Sequence, residues 1–269
     1  MERYRLVASD IDGTLLLNWS PEGIDPRVFD EIREVRRRGA VFLASSGRQY
    51  PNLRRLFSPV ADDIAYLCEN GALVIVGGEV VVRRAMPRDL ALELCHVIMG
   101  EPGCDLLVSG ERTSYVLEGA PAFAEHMRVV VGNDVTCVAR PEDIPETPVK
   151  VSYHADAAVM QQVRESFEER FGATCKVVTS GATWMDVMAR GVDKGWAMRE
   201  LGRALGIPPS EMVAFGDNEN DREMLELVGR PYLMASGNPS MRGLSERLRL
   251  CESVHAELGR LLAEGLVGG

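Results

Sequence analysis

The sequence lacks an apolar run long enough to span a membrane, and its first residues lead into a short β-prone stretch without the apolar core of a signal peptide. Positive charge is also in short supply, because 40 acidic residues outnumber 30 basic ones and leave a net charge of −10. Such a surface does not neutralise a phosphate backbone, which argues against nucleic-acid binding. We therefore expect a cytoplasmic protein that binds neither membranes nor nucleic acids.

Cysteine is sparse as well: the chain has six cysteines and no C-x-x-C pair, so neither a zinc site nor a disulfide framework is predicted. No glycine-lysine phosphate loop of the Walker type and no serine-histidine arrangement is found. The rest of the composition, 46% hydrophobic and 26% charged, is ordinary for a folded protein. A chain of 269 residues is long enough for one large or two modest domains.

Two acidic residues, Asp10 and Asp12, follow the apolar run 6–8 and precede Gly13-Thr14. An isolated Asp-Gly pair is usually ordinary turn chemistry. Behind an apolar run, however, the pattern predicts a buried strand that opens into a tight loop, and residues i and i+2 of an extended chain point to the same side. Both carboxylates then reach one small volume, where one acts as a nucleophile or metal ligand and the other carries a proton.

The next stretch predicts a right-handed βαβ unit. A helix begins at Asp25-Pro26 and ends at Gly39, and the apolar run 41–44 forms a second strand that leads to Ser46. The loops after the two parallel strands open at the same edge of the sheet, where open α/β folds bind ligands.

The α/β rhythm is interrupted after a hairpin with the turn Gly77-Gly78 and resumes near residue 193. We predict an α/β fold: a Rossmann-like, doubly wound parallel sheet core, formed by residues 1–83 and 188–269, with an inserted α+β cap domain over residues 84–187. After a last strand at 232–234, the tail is predicted to be mostly helical.

Polar side chains follow three of the predicted core strands, and a lysine at the start of a helix can reach the same edge. The residues are Asp10, Asp12, Ser46, Lys194, Asp217, Asn220 and Asp221. Oxygen ligands of this kind suit Mg²⁺ with a phosphoryl group bound beside it. Ser46, Lys194 and the N–H groups after Asp12 suit the transferring phosphoryl oxygens.

Five segments resemble the successive motifs of the haloacid dehalogenase superfamily, and more narrowly its Cof-type phosphatases with a large α/β (type IIB) cap. They are Asp10-x-Asp12-Gly13-Thr14, Ser46-Gly47-Arg48, Glu69-Asn70-Gly71-Ala72, Asp193-Lys194-Gly195 and Gly216-Asp217-x-x-Asn220-Asp221-x-x-Met224-Leu225.

The resemblance implies that Asp10 attacks phosphorus to form an aspartyl-phosphate, and that Asp12 protonates the leaving alcohol and then activates water. The implied phosphate-binding residues are Ser46, Gly47, Lys194 and Asn220. The implied Mg²⁺ site consists of Asp10, Asp12 through its backbone carbonyl, and Asp217, with Asn220 and Asp221 in support. For contacts to the rest of the substrate, we expect Arg48, Asn70 and Asp186.

The leading hypothesis is a Mg²⁺-dependent phosphatase that acts on small phosphorylated metabolites, in particular sugar phosphates. A phosphomutase would use the same residues but return the phosphoryl group to a second hydroxyl. A non-catalytic phosphometabolite-binding protein would keep the fold without turnover. The sequence leaves the physiological substrate and the oligomeric state open.

Overall fold

The computed structural model describes residues 3–17, 23–180 and 183–269. The chain forms two compact units. The first contains Met1–Arg48, Leu53–Val82 and Asp193–Gly269, and the second contains Gln49–Asn52 and Arg83–Val192. Residue 187, the predicted end of the insert, lies inside a strand of the second unit that continues to Ala189. In the described ranges, no helix is both long and apolar enough to cross a bilayer.

The strands are, in chain order, β1 Leu6–Asp10, β2 Val41–Ser45, β3 Ala65–Cys68, β4 Leu73–Val76, β5 Glu79–Arg83, β6 Cys104–Ser109, β7 Ser114–Leu117, β8 Val135–Val138, β9 Lys150–Ala155, β10 Cys175–Ser180, β11 Trp184–Ala189, β12 Met212–Gly216, β13 Arg230–Met234 and β14 Arg249–Cys251. The α-helices are α1 Pro26–Arg37, α2 Tyr50–Leu56, α3 Arg88–Met99, α4 Pro121–His126, α5 Ala157–Phe171, α6 Lys194–Leu205, α7 Arg222–Leu227 and α8 Val254–Ala263.

The first unit is built on one sheet with the strand order β14-β13-β12-β1-β2-β3-β4-β5. The strands from β14 to β3 are parallel, and β4 pairs antiparallel with β3. Every residue of β1 is buried, as expected of a central parallel strand. The predicted α/β fold class is confirmed.

The two sides of this sheet are covered by different helices. Leu6 and Ala8 of β1 belong to the same apolar cluster as Met198 of α6 and Leu225 of α7. On the other side, α1 packs against β2 and α8. Because helices cover both faces, the polar residues that continue from the strands have to emerge at the carboxyl edge of the sheet.

The second unit contains a separate sheet with the order β10-β11-β9-β6-β7-β8. Its neighbouring strands are antiparallel except β7 and β8, which run parallel. The helices α3 and α5 pack on it, and Phe167 of α5 contacts Tyr153 of β9. The helical stretch that begins with α4 continues as a π-helical turn from Met127 to Val131.

Three elements depart from the sequence expectations. The tail contains the strand β14 as well as the predicted helix, and neither β8 nor α2 is predicted. These elements have three, four and seven residues. The strands β8 and β14 form by pairing with β7 and β13, which the local sequence pattern does not reveal.

Candidate active site

Three charged side chains meet at the carboxyl end of β1. Lys194, the first residue of α6, places its ammonium Nζ 2.6 Å from Asp10 Oδ1 and 2.6 Å from Asp221 Oδ1. The same nitrogen lies 3.5 Å from the carbonyl oxygen of Ser45. Lys194 is fully buried, so its charge depends on these acceptors instead of water. The ammonium thereby joins the ends of β1 and β2 to the loop after β12.

Glycine in the third motif permits the position of Lys194. Gly71 has a φ of +103°, and a Cβ atom added there would lie 2.4 Å from the carbonyl oxygen of Asp193. The Asp193 side chain caps α6 by accepting a 2.7 Å hydrogen bond from the N–H of Trp196. The start of α6 therefore packs directly on the backbone after β3, at a distance that no side chain at position 71 allows.

Asp221 organises the acidic loop after β12. Its Oδ2 atom accepts hydrogen bonds from the N–H groups of Asp217 at 2.9 Å and Asn218 at 3.3 Å, while its Oδ1 atom accepts from Lys194. Gly216 provides the space, because a Cβ atom there would lie 2.7 Å from the Asp221 Cβ. Asp221 thus holds the backbone from which the side chain of Asp217 projects.

Asp10, Asp217 and Asp221 form a group in which one carboxylate oxygen from each residue lies within 4.8 Å of the others. The Asp10 Oδ2 atom is buried and has no hydrogen-bond partner among the described residues. One ammonium balances only one of the three negative charges, and a divalent cation would bring the net charge of the group to zero. Carboxylate oxygens are the ligands that Mg²⁺ takes from proteins, so these residues fit the expected ion.

Burial and mutual repulsion of these carboxylates shift the pKa values of Asp10 and Asp217. Burial, followed by the charge of Asp221, raises the pKa of Asp10 well above its ordinary value although Lys194 opposes the shift. The same two causes raise the pKa of Asp217 to about 6. Burial alone would lower the pKa of Lys194, but Asp10 and Asp221 outweigh it and raise that pKa. The Lys194 ammonium therefore stays charged. Its single positive charge does not balance the negative charge of the surrounding carboxylates.

The predicted phosphate-binding residues Ser46 and Gly47, on the loop after β2, lie beside the predicted substrate residue Asn70, on the loop after β3. Ser46 is buried, and its carbonyl accepts a 3.1 Å hydrogen bond from the N–H of Asn70. A Cβ atom at Gly47 would lie 3.0 Å from the Asn70 side-chain amide. Asn70 adopts a left-handed conformation with a φ of 54°, and Asn220 donates to its Oδ1 atom at 3.4 Å. Tertiary structure thus connects Asn220 of the acidic loop with the Ser46-Gly47 loop.

Asp12 does not belong to the carboxylate group. Its side chain is bound by the guanidinium of Arg48, with 2.9 Å between Nε and Oδ2 and 2.6 Å between Nη2 and Oδ1. Arg48, predicted to contact the substrate, therefore contacts a proposed catalytic residue in the structure. The third expected substrate residue, Asp186, lies in the second unit.

In that unit, Asp186 occupies the middle of β11 opposite Ser152 of β9. Its Oδ1 atom accepts a 2.6 Å hydrogen bond from the Ser152 hydroxyl, and its Oδ2 atom lies 3.4 Å from the ammonium of Lys150. All three residues are buried. The strand register therefore explains the position of Asp186 as part of a polar cluster on the second sheet.

One contact of the acidic loop is not predicted from the sequence. The N–H of Asn238 donates a 2.7 Å hydrogen bond to the carbonyl oxygen of Asp217. A Cβ atom at Gly237 would lie 2.7 Å from the same oxygen. The Gly-Asn-Pro sequence after β13 is a turn signal, but only the parallel pairing of β12 with β13 brings that turn to Asp217.

The whole set of motifs is reflected in the similarity to known proteins. The model of the haloacid dehalogenase-like hydrolase family matches residues 7–246. The chain belongs to the haloacid dehalogenase-like hydrolases. The predicted superfamily is therefore confirmed, and so is the prediction of a hydrolase.

Individual relatives are distant but cover nearly the whole chain. The protein named 5-amino-6-(5-phospho-D-ribitylamino)uracil phosphatase YbjI of Escherichia coli is 25% identical over 237 residues, 88% of this chain and 87% of its own. The protein named HMP-PP phosphatase of Serratia proteamaculans is 25% identical over 264 residues, 92% of this chain and 89% of its own.

The fold is shared with a solved structure described as the haloacid dehalogenase subclass IIB sugar phosphatase BT4131. It superposes with a TM-score of 0.78 at 20% identity, covering 98% of this chain and 100% of the other. At this identity the likeness concerns the fold. It supports the expected type IIB arrangement, in which the inserted unit interrupts the core between β5 and α6.

Proposed function

We propose that this chain is a Mg²⁺-dependent phosphomonoesterase that hydrolyses small phosphorylated metabolites, with sugar phosphates as the leading substrate class, through an aspartyl-phosphate. The observation that carries the proposal is the state of Asp10: one oxygen is bound by Lys194, and the other is buried and without a hydrogen-bond partner among the described residues. A carboxylate so fixed has one oxygen available to an electrophile or a cation.

The metal would be held by the carboxylates of Asp10 and Asp217, with the backbone carbonyl of Asp12, while Asn220 and Asp221 support the site. When bound, Mg²⁺ supplies positive charge that screens the repulsion between an anionic ester and the nucleophile. Asp221 is the least available of the three carboxylates, because both of its oxygens already accept hydrogen bonds. We therefore assign it to orientation of Asp217 and Lys194.

In the first step, an Asp10 oxygen forms a bond to phosphorus as the bond from phosphorus to the leaving oxygen breaks, and Asp12 donates a proton to that oxygen. In the second step, water attacks phosphorus, Asp12 accepts a proton from the water, and the bond between Asp10 and phosphorus breaks. Inorganic phosphate leaves and Asp10 is restored. Transfer of the proton to and from one carboxyl group is general acid and base catalysis.

The phosphoryl oxygens would be stabilised by the ammonium of Lys194, the hydroxyl of Ser46 and the loop at Gly47. The side-chain amide of Asn220 is the fourth proposed phosphate-binding group. These groups belong to elements of the first unit whose hydrogen bonds fix them before substrate arrives. Donors held in place in this way do not have to reorganise when charge develops on the phosphoryl group.

We propose that the second unit acts as the cap.

The substrate class is inferred from chemistry and from relatives. Two relatives are named as phosphatases of phosphorylated small molecules, and the subclass IIB structure is described as a sugar phosphatase. A net charge of −10 also fits a small ligand bound by local charges better than a polyanion. Among the predicted substrate residues, we keep Asn70 and Asp186 as candidates.

The experiment that tests the proposal is phosphate release from a panel of sugar phosphates, nucleotides and phospholipid precursors, with Mg²⁺ and with chelator. Metal-dependent release is expected from the wild type, and Asp10→Asn is expected to lose it while remaining folded. Asp30→Asn is the matched control, because Asp30 is an exposed carboxylate paired with Arg33 on α1.

Two results would contradict the proposal. Wild-type turnover in Asp10→Asn would exclude the covalent step. Isomerised sugar phosphate without free phosphate would identify a phosphomutase instead.

A further inference from the structure

The guanidinium of Arg48 grips the carboxylate of Asp12 with two hydrogen bonds in parallel, from Nε to Oδ2 and from Nη2 to Oδ1. We propose that Arg48 is a positioning residue for Asp12, which aims the carboxyl group that gives and takes the proton. The proposal rests on the function proposed above, since it concerns the acid and base of that reaction.

Arg48 is well placed for this role because its own backbone is fixed. Its N–H group donates a 3.2 Å hydrogen bond to the hydroxyl of Ser46, and its carbonyl accepts a 3.1 Å hydrogen bond from the N–H of Glu69. Glu69 is buried and has a left-handed φ of 52°. The side chain of Arg48 therefore extends from a base that the loops after β2 and β3 hold together.

Asp12, by contrast, lies on a short turn after β1 and its side chain is 37% exposed. The turn is closed by a 2.9 Å hydrogen bond from the N–H of Gly13 to the carbonyl of Leu16. Such an exposed carboxylate would ordinarily rotate among several orientations. The planar fork of arginine selects one of them, because two hydrogen bonds fix both the position and the plane of the carboxylate.

The two hydrogen bonds also suit a group that changes its proton. When Asp12 carries the proton on one oxygen, the other oxygen can still accept from Arg48. One of the two hydrogen bonds from Arg48 is then replaced by the contact of Asp12 with the leaving oxygen or with water. The other hydrogen bond keeps the carboxyl group in place. An ammonium lacks this fork, so lysine at position 48 would keep the charge and lose the orientation.

A direct contact of Arg48 with the phosphoryl group is the competing explanation. In the structure two of the three guanidinium nitrogens are engaged by Asp12, and side-chain exposure of Arg48 is 22%. A bidentate phosphate contact through the same pair of nitrogens, Nε and Nη2, would require Arg48 to release Asp12. The two explanations differ in which substrates they affect, and this difference can be measured.

The test compares two substrates by their kcat/KM, which reports the steps up to release of the leaving group. An alkyl phosphate needs a proton on its leaving oxygen, whereas 4-nitrophenyl phosphate has a leaving group stable without one. In Arg48→Met we expect kcat/KM for the alkyl phosphate to fall by about 10 to 100-fold, a part of the range for general acid catalysis. For 4-nitrophenyl phosphate we expect a change within about 3-fold, since that step does not use the acid.

Arg48→Lys is expected to recover only part of the activity that Arg48→Met loses. Arg203→Met is the matched control and should behave as wild type, because Arg203 is an exposed arginine paired with Glu200 on α6. A double-mutant cycle with Asp12→Asn completes the design. In the Asp12→Asn background, Arg48→Met should change the ratio of the two kcat/KM values no further. Thermal unfolding of each variant identifies any loss of fold, and Arg48→Lys then serves in place of Arg48→Met.

Equal losses for both substrates that persist in the Asp12→Asn background would assign Arg48 to phosphate binding and overturn the proposal. A gain of activity in Arg48→Met would overturn it too, because the ion pair would then be a restraint on Asp12. Failure of the proposed function itself looks different: the wild type would release no phosphate from either substrate.

Discussion

At the scale of single residues, glycine determines how closely the carboxylates of this site approach one another. Gly13 has a φ of +93°, and a Cβ atom added to it would lie 2.2 Å from Asp217 Oδ2. Gly13, which the sequence predicts to lie in a tight turn, therefore also lies directly against the carboxylate of Asp217. Two independent constraints, backbone conformation and contact, apply at the same position.

We predict that Gly13→Ala abolishes Mg²⁺ binding and lowers the free energy of unfolding by more than the roughly 1 kcal/mol that a left-handed backbone costs a non-glycine residue. The physical reason is displacement of the Asp217 carboxylate by the new methyl group. Metal binding can be measured by titration calorimetry, and stability by urea unfolding.

Gly78→Ala is the matched control for this prediction. Gly78 has a φ of +85° in the turn between β4 and β5, and nothing lies within 4 Å of an added Cβ atom. It should show the backbone cost alone and bind Mg²⁺ normally. Equal metal affinity in the two variants would refute the assigned contact between Gly13 and Asp217.

At the scale of elements, local signals were sufficient where a helix or strand carries its own boundaries. The predicted helix between Asp25-Pro26 and Gly39 is α1, whose buried residues are Val28, Ile32 and Val35. Its cap is visible in the sequence because Asp25 accepts a 3.0 Å hydrogen bond from the N–H of Arg27. The edge strand β14 has no such signal and forms because β13 offers it a partner.

We predict that Asp25→Ala lowers the free energy of unfolding by about 1 kcal/mol at pH 7, the usual value of an N-cap. Hydrogen bonds from the Arg27 side chain and backbone lower the pKa of Asp25 to about 2. A depressed pKa contributes stability above the unfolded value of about 3.9, and this contribution is lost as the pH falls toward 2.

The difference between wild type and Asp25→Ala should therefore be constant from pH 7 to about 5 and shrink as the pH falls below 4. Urea unfolding at several pH values measures it, and Asp30→Ala on the exposed side of the same helix is the control. A difference that grows on acidification would contradict the sign of the shift.

At the scale of the whole molecule, the candidate metal group joins parts of the chain that are far apart in sequence. Asp10 and Asp217 lie about 200 residues apart, at positions 10 and 217, yet β1 and β12 are neighbours in the sheet. A cation bound by both residues would bind the folded chain and not the unfolded one. Binding of this kind stabilises the fold by mass action.

We predict that Mg²⁺ at about 100 times its dissociation constant raises the free energy of unfolding by about 2.7 kcal/mol. For a chain of this size, that corresponds to a rise in Tm of about 5 °C. The rise should largely disappear in Asp217→Asn and persist in Asp30→Asn, measured by thermal unfolding at matched ionic strength. An unchanged rise in Asp217→Asn would place the cation elsewhere.

The fold class, the family and the group of polar residues at the strand ends follow from the amino-acid sequence, because each depends on short local patterns. The apolar run before Asp10 predicts a strand, and parallel βαβ units necessarily deliver their loops to one edge. Carboxylates, a hydroxyl and a lysine at that edge have few chemical uses in common. Local rules therefore reached as far as the candidate chemistry.

Which of these residues contact one another depends on how the strands are arranged in three dimensions. Arg48 and Asp12 lie 36 residues apart in the sequence, and no periodicity relates the two positions. Their ion pair arises because β1 and β2 are adjacent parallel strands, so that the loops that follow them lie side by side. The same holds for the bridge that Lys194 makes between Asp10 and Asp221, since strand order and register, not local propensity, set the distances between side chains on different strands.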